Sequence, residues 1–536
     1  MSSSATIAVA APVPAQPRLG VSQYLIVLSV MCAVLLEIID TSIVNVALPS
    51  MMGSLGATLD EIDWVVTGYI VSNVIVIPMT GWMASRFGRT RYFVTSILVF
   101  TFASLMCGAS RSVETLVCWR IVQGLGGGAL LATSQTILME TFPPGRQGMA
   151  QAMFSVGAMV GPSLGPTLGG WITDHWSWHW IFLINVPLGL AAAALCASHL
   201  RDPAYLKAQR PPLVDWPGIA LLVVSIGALQ WLLQTGHKND WFQSPLVTAL
   251  ALVSFFGLVA LVIHELRTDH PVVDLRVLRQ RPLVVGCLLG AVTTGGLYGC
   301  IFLFPVYTQS LLGWPAWNSG LAVLPSSLTT AAVMFFAGRV VYRVGPRRMI
   351  RAGMLLMIAG LIGMHDWTLA SGWDQLFDPQ ILRGFGMGLM MVPLSLATLR
   401  SMPPRDVAKA AGLFNLCRQL GGSLGISILS TLLDARTDVH RAALAAGAGP
   451  LEASTVNGLA SLVSAFQHAG LAPSAAQFGA NVAFERMLEA NAQMAAFQDA
   501  YLVLIALFVL ALPVTVWIVR KVPMGPASPD EAAASH

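Results

Sequence analysis

Glu37 and Asp40 stand three residues apart in an apolar run over about 23–49. Helical geometry puts positions three apart on one face, so the two carboxylates share a site if this run is a helix. Arginines occupy comparable apolar runs at Arg120, Arg383 and Arg418. An unpaired ion in hydrocarbon costs about 2.5–3.5 kcal/mol on insertion scales, so such groups are kept for proton exchange, charge recognition or pairing. Asp40 is the leading proton carrier, because a movement that changes its access to Arg120 or to water would switch whether it holds a proton. A fixed Asp40–Arg120 bridge between two helices is the competing reading. Glu37 belongs to the same proton-coupling group, or simply meets water nearer the outer part of its span.

Gln123 follows Arg120 by three residues and leads into Gly124, Gly126, Gly127 and Gly128, which allow a neighbouring helix to come close. Arg383 and Arg418 have no intramembrane acid nearby in sequence. An anionic substrate group, Asp374 or Asp378, or backbone carbonyls are the partners open to them. The seven cysteines, Cys32, Cys107, Cys118, Cys196, Cys287, Cys300 and Cys417, lie in apolar runs without C-x-x-C or histidine pairing and read as packing residues. Walker loops, zinc spacings and nucleophile–base patterns are absent from the sequence, so neither ATP-driven work nor an enzyme is expected, and no cofactor or metal. A gradient or a partner must supply the energy.

The elements that position these groups follow from composition. Of 536 residues, 55% are apolar and 10% charged, and the mean hydropathy is +0.69, values that require a surface facing lipid. Fourteen runs are long enough to cross about 30 Å of hydrocarbon as helices: 23–49, 63–83, 92–110, 114–138, 147–172, 179–200, 216–234, 245–265, 283–312, 319–342, 349–371, 376–400, 405–433 and 499–519. Their length and continuous apolarity predict an all-α polytopic membrane protein rather than a barrel. Basic residues gather beside even-numbered spans, among them Arg86, Arg89, Arg91, Arg146, Lys207, Arg210, Arg343, Arg347, Arg348, Arg405, Lys409, Arg520 and Lys521. The positive-inside tendency then places both termini in the cytoplasm, and the net charge of +4 needs no nucleic-acid partner.

The chain also repeats itself. Pro143-Pro144, Phe154 and Gly161 to Gly165 return 260 residues on as Pro403-Pro404, Phe414 and Gly421 to Gly425, while Gly81, Arg86 and Gly88 return as Gly338, Arg343 and Gly345. Two six-helix bundles, 23–200 and 283–520, with an inserted pair of spans in 201–282, account for this pattern, and a substrate site between the halves is expected. Residues 1–22 and 521–536 read as tails, the first disordered. The segment 434–498 reads as an outward loop with short interfacial helices.

Gly157, Gly161, Gly165 and Gly169 recur every four residues, with Gly170 adjoining, and make one helix stripe bare of side chains. Pro162 and Pro166 interrupt its hydrogen-bond ladder. Close packing against a neighbour with a bend that can rock is the expectation, a gate or hinge. Static packing is the alternative.

These residues carry a family resemblance. Asp40-Thr-Ser-Ile-Val-Asn45-Val-Ala-Leu-Pro49 resembles the first-span signature of fourteen-helix drug:proton antiporters of the EmrB/QacA type in the major facilitator superfamily. Gly81 to Arg89 resembles the superfamily's motif A, Arg120 to Gly124 its motif B, Gly157 to Gly170 its antiporter motif C, and Trp178 to Pro187 the span-six signature. Asp240 to Phe242, Val273 to Leu275, and Pro403 to Arg405 leading into Asn415 and Arg418 are similar to EmrB-type exporters. The resemblance implies the major facilitator fold and proton-driven, alternating-access efflux of hydrophobic toxic compounds from a Gram-negative inner membrane. It further implies a periplasmic membrane-fusion adaptor of EmrA type and a TolC-like outer-membrane channel. Gly81, Arg86, Gly88 and Arg89 take the place of the family's gate; Asn45, Gln123 and Arg418 are expected to line the substrate cavity.

One departure is Ser85, where motif A usually carries an acid. Arg86 and Arg89 are therefore expected to engage helix ends or acids of neighbouring spans. Spans nine and ten hold no Asp or Glu, which favours neutral or weakly acidic lipophiles over doubly charged cations. Tyr298, Phe302, Phe304 and Tyr307 offer aromatic walls to such a cavity, or pack. Export of fatty acids or of a biosynthetic product is the near alternative, and a transport-inactive sensor or assembly subunit a more distant one.

Overall fold

The computed structural model describes residues 21–203, 213–447 and 453–518. Residues 1–20 and 521–536 of the expected tails, and Lys207, Arg210, Arg520 and Lys521, lie outside the described residues; residues 21 and 22 already belong to the first helix. Every regular element among the described residues is helical. The first lobe comprises α1 (Val21–Leu55), α2 (Leu59–Val76), α3 (Thr80–Phe87), α4 (Arg89–Gly108), α5 (Val113–Thr141), α6 (Gln147–His175), α7 (His179–Leu183) and α8 (Asn185–His199). An inserted pair follows, α9 (Trp216–Thr235) and α10 (Pro245–Arg267). The second lobe comprises α11 (Arg281–Val306), α12 (Ala316–Val344), α13 (Pro346–His365), α14 (Trp373–Arg400), α15 (Val407–Gly447), α16 (Ala453–His468) and α17 (Pro473–Ala511).

Thirteen helical stretches among the described residues are long and apolar enough to cross a membrane. The remaining expected span is α6, whose 29 residues reach about 43 Å at 1.5 Å each and so also suffice. Its glycines, prolines and serines lower its hydropathy, because it spends its surface on a neighbouring helix rather than on lipid.

Local chemistry sets the helix ends. Thr58 and Glu61 form a capping box at the start of α2: the Glu61 carboxylate accepts from the Thr58 backbone N–H at 2.8 Å, and the Thr58 hydroxyl accepts from the Glu61 N–H at 3.4 Å. A 3-10 turn over Ile77–Met79, around Pro78, divides the second span into α2 and α3. The repeat is visible in the backbone as well. Gly88 between α3 and α4 has φ 86° and ψ 139°, and its counterpart Gly345 between α12 and α13 has φ 88° and ψ 142°, a left-handed conformation that needs glycine.

The segment 434–498 differs from expectation. One short helix, α16, is present there, but α15 runs unbroken for 41 residues to Gly447, and α17 begins at Pro473 and continues through the last span. Alanine-rich sequence favours helix, and leaving hydrocarbon does not end a helix unless glycine or proline does. Asp499 clamps the two extensions together, accepting from Arg436 Nε at 2.5 Å and meeting His440 Nε2 at 2.8 Å.

Candidate functional site

The two acids of α1 occupy different environments. Asp40 is fully buried in the first lobe and has three side-chain donors around it. Arg120 Nη1 of α5 donates to Oδ2 at 2.6 Å, while Gln123 Nε2 and Asn185 Nδ2 donate to Oδ1 at 2.8 and 3.0 Å. Arg120 is itself held by the Val65 carbonyl at 2.9 Å and Gln123 Oε1 at 2.8 Å, with its guanidinium 4.1 Å from the centre of the Tyr69 ring. A charge pair so completely bonded stays bonded until the helices move. In this conformation the bridge between α1 and α5 is formed, and Asp40 is not among the residues that line the central cavity.

Glu37 lies one turn earlier and points elsewhere. Its Oε1 accepts from Asn73 Nδ2 at 3.3 Å, and its Oε2 is buried without a hydrogen-bond partner. Glu37 lines a central cavity of about 380 Å³ between the lobes, together with Thr41, Asn45, Gln234, Tyr298 and Arg418. That volume suits a small molecule. Ile38, Val66, Ile70, Leu131, Phe154 and Ile301 make much of the remaining wall apolar.

Arg418 contributes the cavity's positive charge. Its Nε donates to Thr294 Oγ1 at 3.3 Å and its Nη1 to Asn415 Oδ1 at 3.5 Å, and it lies 5.8 Å from the Phe414 ring centre. None of these partners is a carboxylate. Asn415 Nδ2 donates across the lobes to Gln135 Oε1 at 2.7 Å, and Gln135 Nε2 donates on to Gln151 Oε1 at 3.2 Å.

Of the expected cavity residues, Asn45, Tyr298 and Arg418 line it and three do not. Gln123 is used up by Asp40 and Arg120. Tyr307 is buried, donates its hydroxyl to the Thr368 carbonyl at 2.7 Å and stacks on Trp367. Phe302 is half-buried against the hydrophobic core of the second lobe. Aromatic residues on one helix face opposite neighbours, and only Tyr298 of this group turns to the cavity.

The glycine stripe has a definite partner, α1. A Cβ at Gly157 would meet Met31, at Gly161 Ile38, at Gly165 Ser42 and at Gly169 Ile43, whereas Gly170 has room, with Val46 3.8 Å away. The helix that carries both acids is thus seated along α6, and Ser42 Oγ donates to the Gly161 carbonyl at 3.2 Å. The side chains of Pro162 and Pro166 lie outside the described residues.

At the end of the lobes that carries the basic loops the chain closes tightly. A Cβ at Gly81 would lie 3.0 Å from the Lys409 backbone, Gly148 and Gly338 pack backbone to backbone, and Tyr342 Oη accepts from the Gly148 N–H at 2.9 Å. Arg400 Nη1 donates to Gln147 Oε1 at 2.7 Å, and Lys409 Nζ to Asp274 Oδ2 at 2.9 Å. Arg89 meets Glu140 at the end of α5 at 2.6 Å, and Ser85 donates to its own helix at the Gly81 carbonyl. Arg86 Nε is buried without a partner. Asp202 accepts from the Thr90 N–H at 2.7 Å and crowds Gly88, so an acid from beyond α8 serves the start of α4.

Sequence reasoning passed over Asn73, Asn185 and Gln135 as site residues. Asparagine and glutamine in an apolar span are signals in themselves, since a buried amide needs partners. Their targets depend on which helices touch.

The Major Facilitator Superfamily model matches residues 30–426. The chain is 34% identical over 81% of its length to the multidrug export protein EmrB of Escherichia coli (strain K12), covering 85% of that protein. It is 31% identical over 82% of its length to the fatty acid resistance protein FarB of Neisseria gonorrhoeae, covering 86% of it. Among solved structures, the human organic anion transporter MFSD10 (TETRAN) superposes with a TM-score of 0.60 at 13% identity, over 93% of this chain and 100% of that one. The proton:xylose symporter XylE gives 0.55 at 15% identity, over 78% and 90%. These two establish the shared fold. The chain belongs to the major facilitator superfamily and is a multi-pass membrane transporter.

Proposed function

We propose that this major facilitator superfamily member is a proton-coupled antiporter exporting lipophilic toxic compounds by alternating access. The observation that carries this reading is the central cavity, where Glu37, with one partnerless oxygen, and Arg418, with no carboxylate partner, share a chamber whose other lining residues are uncharged, many of them apolar. The cavity lining includes Glu37, Asn45 and Ile426 and none of the residues that close the basic end. In this state Glu37 is the acid within reach of the outer side. A proton taken up there removes the cost of an unpaired charge and favours occlusion. Rocking of the lobes along the α1–α6 seam then opens the basic end, where the proton leaves and cargo enters. Asp40 and Arg120 hold α1 against α5 until that movement, and their release is the second proton-linked step.

The membrane is a bacterial inner membrane with both termini in the cytoplasm, consistent with the basic loops. A periplasmic adaptor of EmrA type and a TolC-like outer-membrane channel complete the pump, a reading supported by the EmrB likeness. The bundle limits are 23–200 and 283–520, with the inserted spans between.

A second cargo class is favoured by Arg418. A lipophile with a carboxylate, such as a fatty acid, would supply the anion this residue lacks, and the FarB likeness agrees.

Proteoliposomes with an imposed pH gradient test the coupling. Glu37→Gln should keep downhill flux of a lipophilic dye and lose gradient-driven accumulation, while Asp40→Asn should lose both. A gradient that drives Glu37→Gln as well as the native chain overturns the assignment. Comparing a long-chain fatty acid with an uncharged dye in the same vesicles separates the two cargo classes.

A further inference from the structure

The inserted helix α9 is built into the central cavity. α15 of the second lobe touches the first lobe at the basic end, just past α2, where a Cβ at Gly412 would lie 2.9 Å from the Ile77 carbonyl and one at Gly81 would lie 3.0 Å from the Lys409 backbone. Toward the other end of α2 and α15, α9 stands between them. On one side the Trp231 ring meets Trp64 of α2 edge-on with centres 5.0 Å apart, a Cβ at Gly227 would lie 3.4 Å from Ile75, and Lys238 just beyond α9 pairs with Asp63. On the other side Gln230 Nε2 donates to Ser423 Oγ of α15 at 2.8 Å, and beyond the end of α9 Trp241 Nε1 donates to Thr431 Oγ1 at 2.8 Å and His237 Nε2 lies 3.1 Å from Asp434 Oδ2.

Gln234 follows Trp231 by three residues and Gln230 by four, so helical spacing sets it on the strip of α9 between the positions that meet α2 and those that meet α15. Its side chain lines the cavity, as do Val66 and Ile70 of α2 and Ser423 and Ile426 of α15. Gln230 is spent on Ser423. Gln234 is half-buried, and its amide makes no hydrogen bond among the described residues.

We propose that α9 forms a wall of the cavity bridging the two lobes, and that Gln234 is a specificity-determining residue whose amide N–H donates to a neutral acceptor on cargo, a ketone or amide carbonyl. This deepens the export reading above and rests on it for the cavity's role as the cargo site. A carbonyl that leaves water for a largely apolar chamber must replace the hydrogen bonds it gives up, and an uncommitted amide supplies that replacement. Lipophiles that carry a carbonyl are therefore retained over those that lack one. Glu37 comes from the first lobe, Arg418 from the second and Gln234 from neither, so three units of the chain share the contact with cargo.

The test is dye binding to the full chain in detergent, with the lipophilic ketone Prodan and with N-phenyl-1-naphthylamine, which has no carbonyl. Gln234→Leu should weaken Prodan about five- to tenfold more than the second dye, the worth of one hydrogen bond. A second variant covers the case in which leucine disturbs folding: Gln234→Cys should react with a maleimide in the empty protein and be protected by saturating Prodan. Equal changes in the two affinities, no Prodan binding to the native chain, or a cysteine labelled at the same rate with and without Prodan would overturn the assignment. Binding needs no proton gradient, so the two readings fail separately. A selective loss of Prodan in Gln234→Leu alongside flux indifferent to an imposed pH gradient would sink the antiport reading and uphold Gln234.

Discussion

Gly165 of α6 faces Ser42 of α1 so closely that a Cβ on the glycine would collide with the serine hydroxyl. Because α1 carries both Glu37 and Asp40, this seam fixes where the acids stand relative to the cavity. Gly165→Val and Gly161→Val should destabilise the protein by about 1–3 kcal/mol through overpacking and abolish transport. Gly170→Ala, with its nearest neighbour 3.8 Å away, should do neither. Unfolding midpoints in detergent and uptake by vesicles give the comparison.

Breaking the Asp40–Arg120 pair from one side leaves the other charge buried. Arg120→Leu should cost about 3–5 kcal/mol, and Arg120→Leu combined with Asp40→Asn distinctly less than the sum of the singles. A double-mutant cycle read by denaturation measures the coupling, and additivity would mean that the pair is not the structural unit described.

Asn185→Leu removes one of the donors to Asp40 Oδ1 and also a bond to Ser104 Oγ at 3.1 Å. The expected loss is about 1–3 kcal/mol, the cost of leaving a buried acceptor short. Asn185→Asp should be worse, since it sets a second carboxylate against the first.

Arg418→Gln should weaken transport of carboxylate-bearing lipophiles by about tenfold or more while sparing uncharged ones, because only the former use the cation. Parallel flux assays in one vesicle preparation decide it. Equal losses for both would make Arg418 a structural residue.

Bulk at the basic end should hold that end apart. With Gly148 and Gly338 packed backbone to backbone, Gly338→Leu is expected to shift the protein toward the state open on that side. A cysteine placed at Asn45 should then label more slowly from the opposite side than in the native background.

The architecture was legible from the chain because its causes are local. Apolar length makes a span, and the returning Gly81/Gly338 and Gly88/Gly345 positions mark two copies of one unit, each copy turning at a left-handed glycine. The glycine period announced a close helix contact, and the charged residues in apolar runs announced a polar centre. The fate of each charge was not local. Glu37 and Asp40 are one turn apart on the same helix, yet Asn73 and the cavity meet the first, while Arg120, Gln123 and Asn185 enclose the second. Sequence spacing determines that two side chains share a helix face. Which of them is neutralised by a neighbour and which is left open to cargo depends on where three other helices pack, and only the tertiary structure decides that.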